Sequence, residues 1–143
     1  NKIMNVNVTG ALLCSQAVFP HMAERGKGSI INVSSSSAAV CIRGLGAYSV
    51  SKCALIQLTR NLANEWGPFN IRVNAIAPGF MEVGVAELIQ DPEEFLRPIM
   101  QRTPLGRTGT SSELVGALLY FASDASSYTT GQTLFIDGGA ASC

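Results

Sequence analysis

Ser29-Ile-Ile-Asn-Val-Ser34 is a short apolar run with a glycine on one side and a serine cluster on the other. That pattern suits a central parallel strand covered on both faces. The Ser34 to Ser37 run then opens a loop at the carboxyl end, where open parallel sheets bind their ligands. A helix is expected next, from Gly46 or Ala47 to Trp66. It carries Tyr48, Lys52, Ala54, Leu55, Leu58, Leu62 and Ala63, and Gly67-Pro68 stops it. Ile71-Arg-Val-Asn-Ala-Ile-Ala77 reads as a second strand, ended by Pro78-Gly79. Strand, helix and strand with short joins form a crossover unit. Such a unit places the two strands parallel, with a right-handed connection.

On the amino-terminal side, residues from about Ile3 to Arg25 are rich in apolar side chains that cover more than one face of a long helix. Two buried sides are therefore expected. Pro20 should kink or loosen the helix, and Gly26-Lys-Gly28 should end it. On the carboxyl-terminal side, Phe80 to Leu105 is the least regular part. Val85 to Gln90 and Pro92 to Gln101 read as short helices joined at Asp91-Pro92. This segment is either a lid over the sheet's carboxyl edge or a plain surface connection. Thr110-Ser-Ser-Glu113 resembles a capping box. The helix it starts should run from Ser111 or Ser112 to about Ser123, burying Leu114, Val115, Ala117, Leu118 and Phe121. Gly131-Gln-Thr-Leu-Phe-Ile136 reads as a third strand, closed by Asp137-Gly138-Gly139.

The 143 residues suffice for one domain with a real core, and the 47% hydrophobic and 14% charged composition argues against disorder. Ten basic and ten acidic side chains cancel, so no basic face for nucleic acid or anionic lipid is read from the balance. No apolar run reaches membrane-spanning length. Cys14, Cys41, Cys53 and Cys143 lack paired-ligand spacing, and His21 is the only histidine, so no metal site is expected. His21 reads as an ordinary residue near a helix end. The scattered cysteines fit a reducing compartment, and a cytoplasmic location is expected. The chain opens directly in a helix-like pattern, as a piece of a longer chain would.

Tyr48 and Lys52, four apart on a helix, share one face at about 6 Å along the axis. An ammonium beside a phenol favours the phenolate, and a tyrosine tuned in this way can take or give a proton. The plain alternative is a tyrosine packed at a helix start beside a solvated lysine. Ser35 lies just beyond the first strand, thirteen residues before Tyr48, where strand end and helix start converge on one crevice. Its hydroxyl can donate to a substrate oxygen, or it is one loop serine among four. Asn7, inside the first helix, either interrupts the ladder, holds a water, or bonds locally.

Taken together, these residues resemble a known family. Val6-Asn-Val-Thr-Gly10, Gly28-Ser-Ile-Ile-Asn-Val-Ser-Ser35, Tyr48-Ser-Val-Ser-Lys52, Ile71-Arg-Val-Asn-Ala-Ile-Ala-Pro-Gly79 and Thr130-Gly-Gln-Thr-Leu-Phe-Ile-Asp-Gly-Gly139 occur in the order and spacing of a short-chain dehydrogenase/reductase. The resemblance covers essentially the whole chain. It implies an α/β fold, a Rossmann-like doubly wound parallel sheet of which residues 1–143 form a single partial domain. That domain would be the C-terminal part, about three strands with flanking helices, the last three of the family's seven. The first of them should therefore lack a neighbour and leave an open apolar edge.

The resemblance also implies an NAD(P)-dependent oxidoreductase that moves hydride between nicotinamide and a carbonyl or secondary alcohol. Tyr48 matches the acid/base. Lys52 matches the lysine that assists the tyrosine and bonds the nicotinamide ribose. Ser35 matches the residue that polarises the substrate oxygen, and Asn7 the one that holds a relay water. Pro78 and Gly79 match the turn whose backbone lies against the nicotinamide. Met81 falls where the backbone bonds the carboxamide. Val83 stands where family members often carry a threonine, so it is given no role.

The family's G-x-x-x-G-x-G turn, which cradles the pyrophosphate, is not in this sequence, and neither is the residue that selects NAD or NADP. Either cofactor therefore remains open. The Glu65-Trp-Gly-Pro68 segment leading to Asn70-Ile-Arg72 resembles gluconate and sugar-alcohol dehydrogenases and also 3-oxoacyl reductases. A homodimer or homotetramer through the two long helices is implied. The alternative reading is a truncated, non-catalytic relative that acts through those oligomerisation helices.

Overall fold

The computed structural model describes residues 2–82 and 92–142. Its elements are α1 (Lys2–Met4), a π-helical turn (Asn5–Thr9), α2 (Gly10–Arg25), β1 (Gly28–Val33), α3 (Gly46–Trp66), β2 (Ile71–Pro78), α4 (Pro92–Arg102), α5 (Val115–Ala122) and β3 (Thr133–Ile136). The three strands form one parallel sheet in the order β1-β2-β3. Val83 and the expected Val85 to Gln90 helix lie outside the described residues.

β2 is the centre of the molecule. Ile71, Val73, Ala75, Ile76 and Ala77 are all buried. Ile71 and Val73 meet Leu62, Ala63 and Trp66 of α3, with Leu12, Phe19, Met22 and Ala23 of α2 packed around them. The alternate residues face the other way. Arg72 reaches the Phe121 carbonyl at the end of α5 and the Ser126 hydroxyl, and Asn74 donates to the Thr129 carbonyl. Strand alternation thus sends apolar side chains to α2 and α3 and polar anchors to the α5 side. Burying Ile71, Val73 and Ile76 stabilises the fold by about 2 kcal/mol each. Near-continuous apolar character is the signature of a strand covered on both faces, and here it marks β2.

β1 stands at the open edge that a three-strand part of the family's sheet implies, although its apolar run alone suited a strand covered on both faces. It is an edge strand in this chain, only partly buried, and Val33 is 52% exposed. The first helix departs from expectation. One side packs on α3 and the sheet, but Ile3, Val6, Leu13 and Val18 are exposed and only Ser15 of α2 is buried. A three-stranded sheet offers that helix one surface, not two. Pro20 does not break α2, which runs unbroken to Arg25. Proline removes the hydrogen bond to the carbonyl four residues back, on exposed Gln16, where water can replace it. A π-helical irregularity falls at Asn5–Thr9, around Asn7. Gly26 ends α2 with φ 63°, the left-handed cap that glycine adopts at least cost.

The capping box forms as expected. The Glu113 carboxylate accepts from the Thr110 N–H at 2.8 Å and pairs with Arg107 at 2.7 Å. The first turn, Ser111–Leu114, is 3-10 rather than α. Of the five apolar residues expected to be buried there, Phe121 alone is, and Val115 is exposed. Hydrogen bonding by Arg107, then the Thr110 N–H, holds the Glu113 carboxyl at about 2, against an ordinary 4.5. A carboxyl lowered in this way contributes its stability in full above 4.5 and loses it as pH falls toward about 2. Glu113→Ala should therefore lower the melting temperature at pH 7, and its difference from the parent should shrink toward pH 2. Thermal unfolding across that range is the check, and a pH-independent difference would remove the carboxylate as the cause.

Candidate active site

The carboxyl end of β1 and the first turns of α3 meet above the sheet. Ser34 continues the β1–β2 pairing, its N–H donating to the Ile76 carbonyl at 2.8 Å. Its hydroxyl crosses to the Lys52 carbonyl at 3.0 Å. In parallel pairing, neighbouring residues direct their backbone groups to opposite sides. The carbonyl of Val33 therefore points to the open side of β1. Lys52 Nζ donates to that carbonyl at 2.8 Å. Nζ also lies 5.6 Å from the centroid of the Tyr48 ring, so the shared helix face is realised. Lys52 is half-buried, and desolvation pushes its ammonium below the ordinary lysine value.

Asn7 joins this group through a residue the sequence reading passed over. Its amide donates to Ser51 Oγ at 2.9 Å, and Ser51 Oγ–H donates to the Tyr48 carbonyl at 2.6 Å. Ser51 is fully buried. The π-helical turn around Asn7 is thereby pinned to the turn of α3 that carries Tyr48. Ser35 has extended backbone and caps the Ser36–Ala38 turn, its hydroxyl accepting from the Ser37 N–H. It is adjacent in sequence to Ser34, yet no hydrogen bond joins it to Tyr48 or Lys52 among the described residues. Ser34, Ser37 and Ser51 all lay in plain view, but in a serine-rich stretch no spacing separates a buried hydroxyl from a solvated one.

Pro78 and Gly79 end β2 beside β3, with the Gly79 N–H donating to the Ile136 carbonyl at 2.9 Å. The need for glycine here comes from within the protein, since a Cβ at Gly79 would stand 2.7 Å from Asp137 Cα. Met81 forms a parallel bridge with Gly109. The bonds of that bridge are Gly109 N–H to Phe80 carbonyl and Glu82 N–H to Gly109 carbonyl. The N–H and carbonyl of Met81 therefore face the opposite side.

A cavity of about 700 Å³ lies next to these elements, lined by Ser36, Ile42, Phe80, Met81, Phe95 and Ile99 among others. Ser35, Tyr48 and Lys52 stand outside its lining. Cys14, Cys41 and Cys53 are free and exposed. Among the described residues, no cluster of histidine, cysteine and carboxylate could hold a metal, and no helix is long and apolar enough to cross a membrane.

A family model described as enoyl-(acyl carrier protein) reductase matches residues 1–141. The chain is 38% identical over 137 residues to gluconate 5-dehydrogenase of Gluconobacter oxydans, covering 96% of this chain and 54% of that protein. It is 42% identical over 137 residues to the 3-oxoacyl-[acyl-carrier-protein] reductase of Thermotoga maritima, covering 96% and 55%. The crystal structure of a gluconate 5-dehydrogenase from Burkholderia cenocepacia, in complex with NADP and tartrate, superposes with a TM-score of 0.93 at 38% identity. That match covers 98% of this chain and 55% of the other. The chain thus spans about half the length of the curated relatives it matches.

The close approach at Gly79 has a measurable consequence. Gly79→Ala forces Asp137 to move, and Asp137 holds the N–H groups of Gly139 and Ala141. The substitution should cost about 1–3 kcal/mol in denaturant unfolding. An unchanged midpoint would show that the turn relaxes freely.

Proposed function

The chain belongs to the short-chain dehydrogenase/reductase family, and from that premise we propose that it is the C-terminal, proton-transferring portion of an NAD(P)-dependent oxidoreductase. Its substrate would be a small carbonyl compound or secondary alcohol. The observation that carries the reading is the Tyr48–Lys52 pair, with Nζ 5.6 Å from the phenol ring, at the open side of β1.

The residues fit one end of a dinucleotide. Lys52 and Tyr48 supply donors for the nicotinamide ribose, and the outward N–H and carbonyl of Met81 match a carboxamide's acceptor and donor. When bound, the nicotinamide supplies or accepts the hydride at the substrate carbon. The chain's own groups handle the oxygen. In reduction, Tyr48 gives its hydroxyl proton to the carbonyl oxygen, and in oxidation it takes the alcohol proton. The positive charge of Lys52 favours negative charge on the phenol oxygen. Ser35 donates a hydrogen bond to the same substrate oxygen and stabilises charge developing there. The amide of Asn7 gives one hydrogen bond to Ser51. The second amide N–H and the amide oxygen of Asn7 are left to hold a relay water toward Lys52. Pro78 and Gly79 present the end of β2 to the nicotinamide side. The apolar wall formed by Phe80, Phe95 and Ile99 would receive the rest of the substrate.

No glycine-rich pyrophosphate turn is present in these residues. The 143-residue piece alone should therefore bind NAD or NADP poorly and show no turnover, and nicotinamide absorbance assays with both cofactors check this. In the full-length protein, Tyr48→Phe should abolish turnover while weakening cofactor binding by no more than the roughly two- to tenfold of one lost ribose hydrogen bond. Retained activity would refute the acid/base role. A second reading, assembly through helix surfaces, is favoured by the exposed Val6, at 63%, and by Leu13 and Val18 on the first helix. It is compatible with the first as a homodimer or homotetramer, and the reducing cytoplasm is the proposed setting.

A further inference from the structure

We propose that Ser37 is a positioning residue that fixes Ser35 as a hydrogen-bond donor, a role that rests on the reading of Ser35 as the group facing the substrate oxygen. A serine hydroxyl has one proton to donate and two lone pairs to accept with. Here both lone pairs are occupied from one residue. The Ser37 backbone N–H donates to Ser35 Oγ at 3.2 Å, and the Ser37 hydroxyl donates to the same atom at 3.0 Å. Ser37 is buried, at 3% exposure, so no solvent competes for these bonds. Ser35 itself is only partly buried, and its proton goes to no protein acceptor among the described residues.

With its acceptor sites filled, Ser35 cannot take a proton from Tyr48 or from a substrate alcohol. It can only donate, outward. Donation into Ser35 Oγ also polarises its O–H bond, because linked hydrogen bonds strengthen one another. The division of labour follows: Tyr48 moves the proton and Ser35 stabilises the oxygen without exchanging one. A backbone N–H alone would leave a free lone pair and let the hydroxyl rotor turn away. The second hydroxyl, two residues on, removes that freedom. The adjacent serines have other duties, Ser34 being tied to the Lys52 carbonyl and Ser36 lining the cavity.

The test uses the full-length protein and a panel of small ketones, keto-sugars and 3-oxoacyl thioesters, followed by NADH and NADPH absorbance. Ser37→Ala should lower kcat about fivefold with KM within about twofold, the scale of one lost hydrogen bond. Ser37→Thr should restore kcat, whereas Ser37→Val, of the same shape without the hydroxyl, should not. In a Ser35→Ala background, Ser37→Ala should cost nothing further. An unchanged kcat in both Ser37→Ala and Ser37→Val overturns the proposal. An equal cost with and without the Ser35 hydroxyl also overturns it, by marking the role as structural. Full activity in Ser35→Ala, or no turnover of any panel member by the parent, instead overturns the reading of Ser35 on which the proposal stands.

Discussion

Two hydrogen bonds running in opposite directions tie β1 to α3, and the candidate site depends on them. Ser34 gives its hydroxyl proton to the Lys52 carbonyl, and Lys52 gives an ammonium proton to the Val33 carbonyl. Ser34 is at the same time held to β2 through its backbone N–H. The register of the sheet is thereby transmitted to one turn of α3. Tyr48 lies one turn before Lys52, and Ser35 is the residue after Ser34. Tyr48 and Ser35 are therefore each one covalent or hydrogen-bonded step from the tie. Each bond contributes only about 1 kcal/mol net, and about 1.5–3 where a charged group takes part. Their importance lies in fixing geometry more than in holding the fold together.

The stability of the platform comes from β2, which is buried on both faces. The platform's buried asparagines are each hydrogen-bonded, whereas the buried hydroxyls of Ser49 and Thr133 meet no protein partner among the described residues. Asn32 donates to Thr59, whose hydroxyl donates on to the Leu55 carbonyl. Asn74 donates to the Thr129 carbonyl and accepts from the Gln132 N–H, which sets the approach to β3. Asn7, Ser51 and Tyr48 form a third such chain. An apolar core would tolerate several packings of these helices, whereas buried amides and hydroxyls accept only the one in which every partner is met. Leaving any of these groups unpaired would cost about 1–3 kcal/mol.

Much of this was legible in the chain because the signals were local. Glycine and proline bound the apolar runs at Gly28, Gly67-Pro68 and Pro78-Gly79, and the strand–helix–strand unit followed. Thr110 and Glu113 announced their capping box by spacing alone. Tyr48 and Lys52 met because helical periodicity requires it. What was not legible depends on partners. An apolar run by itself reads the same whether its strand is central or at an edge, and only the family resemblance, which leaves the first of three strands without a neighbour, put β1 at the edge. The apolar stripe on the first helix likewise could not say that one side would stay exposed. Pro20, expected to kink or loosen the helix, loses its bond on exposed Gln16 inside a continuous α2, while the π-helical turn formed where Asn7 finds Ser51 across forty-four residues. Ser37 had no signature at all, since the lone pairs it fills belong to the oxygen of another residue.

The position of Lys52 on the open side of β1 is the point at which fold and function meet in this account. Its ammonium rests on a strand-edge carbonyl, and the proposed function has the same ammonium bond a nicotinamide ribose. The most direct measurement is calorimetric titration of NADH and NADPH into the full-length protein and into its Lys52→Met variant, with circular dichroism to confirm that both are folded. The account predicts that the preferred cofactor binds at least about tenfold more weakly to the variant, a loss of about 1.4 kcal/mol. Equal affinity in the two folded proteins would contradict it, because Lys52 would then be holding β1 to α3 and nothing more.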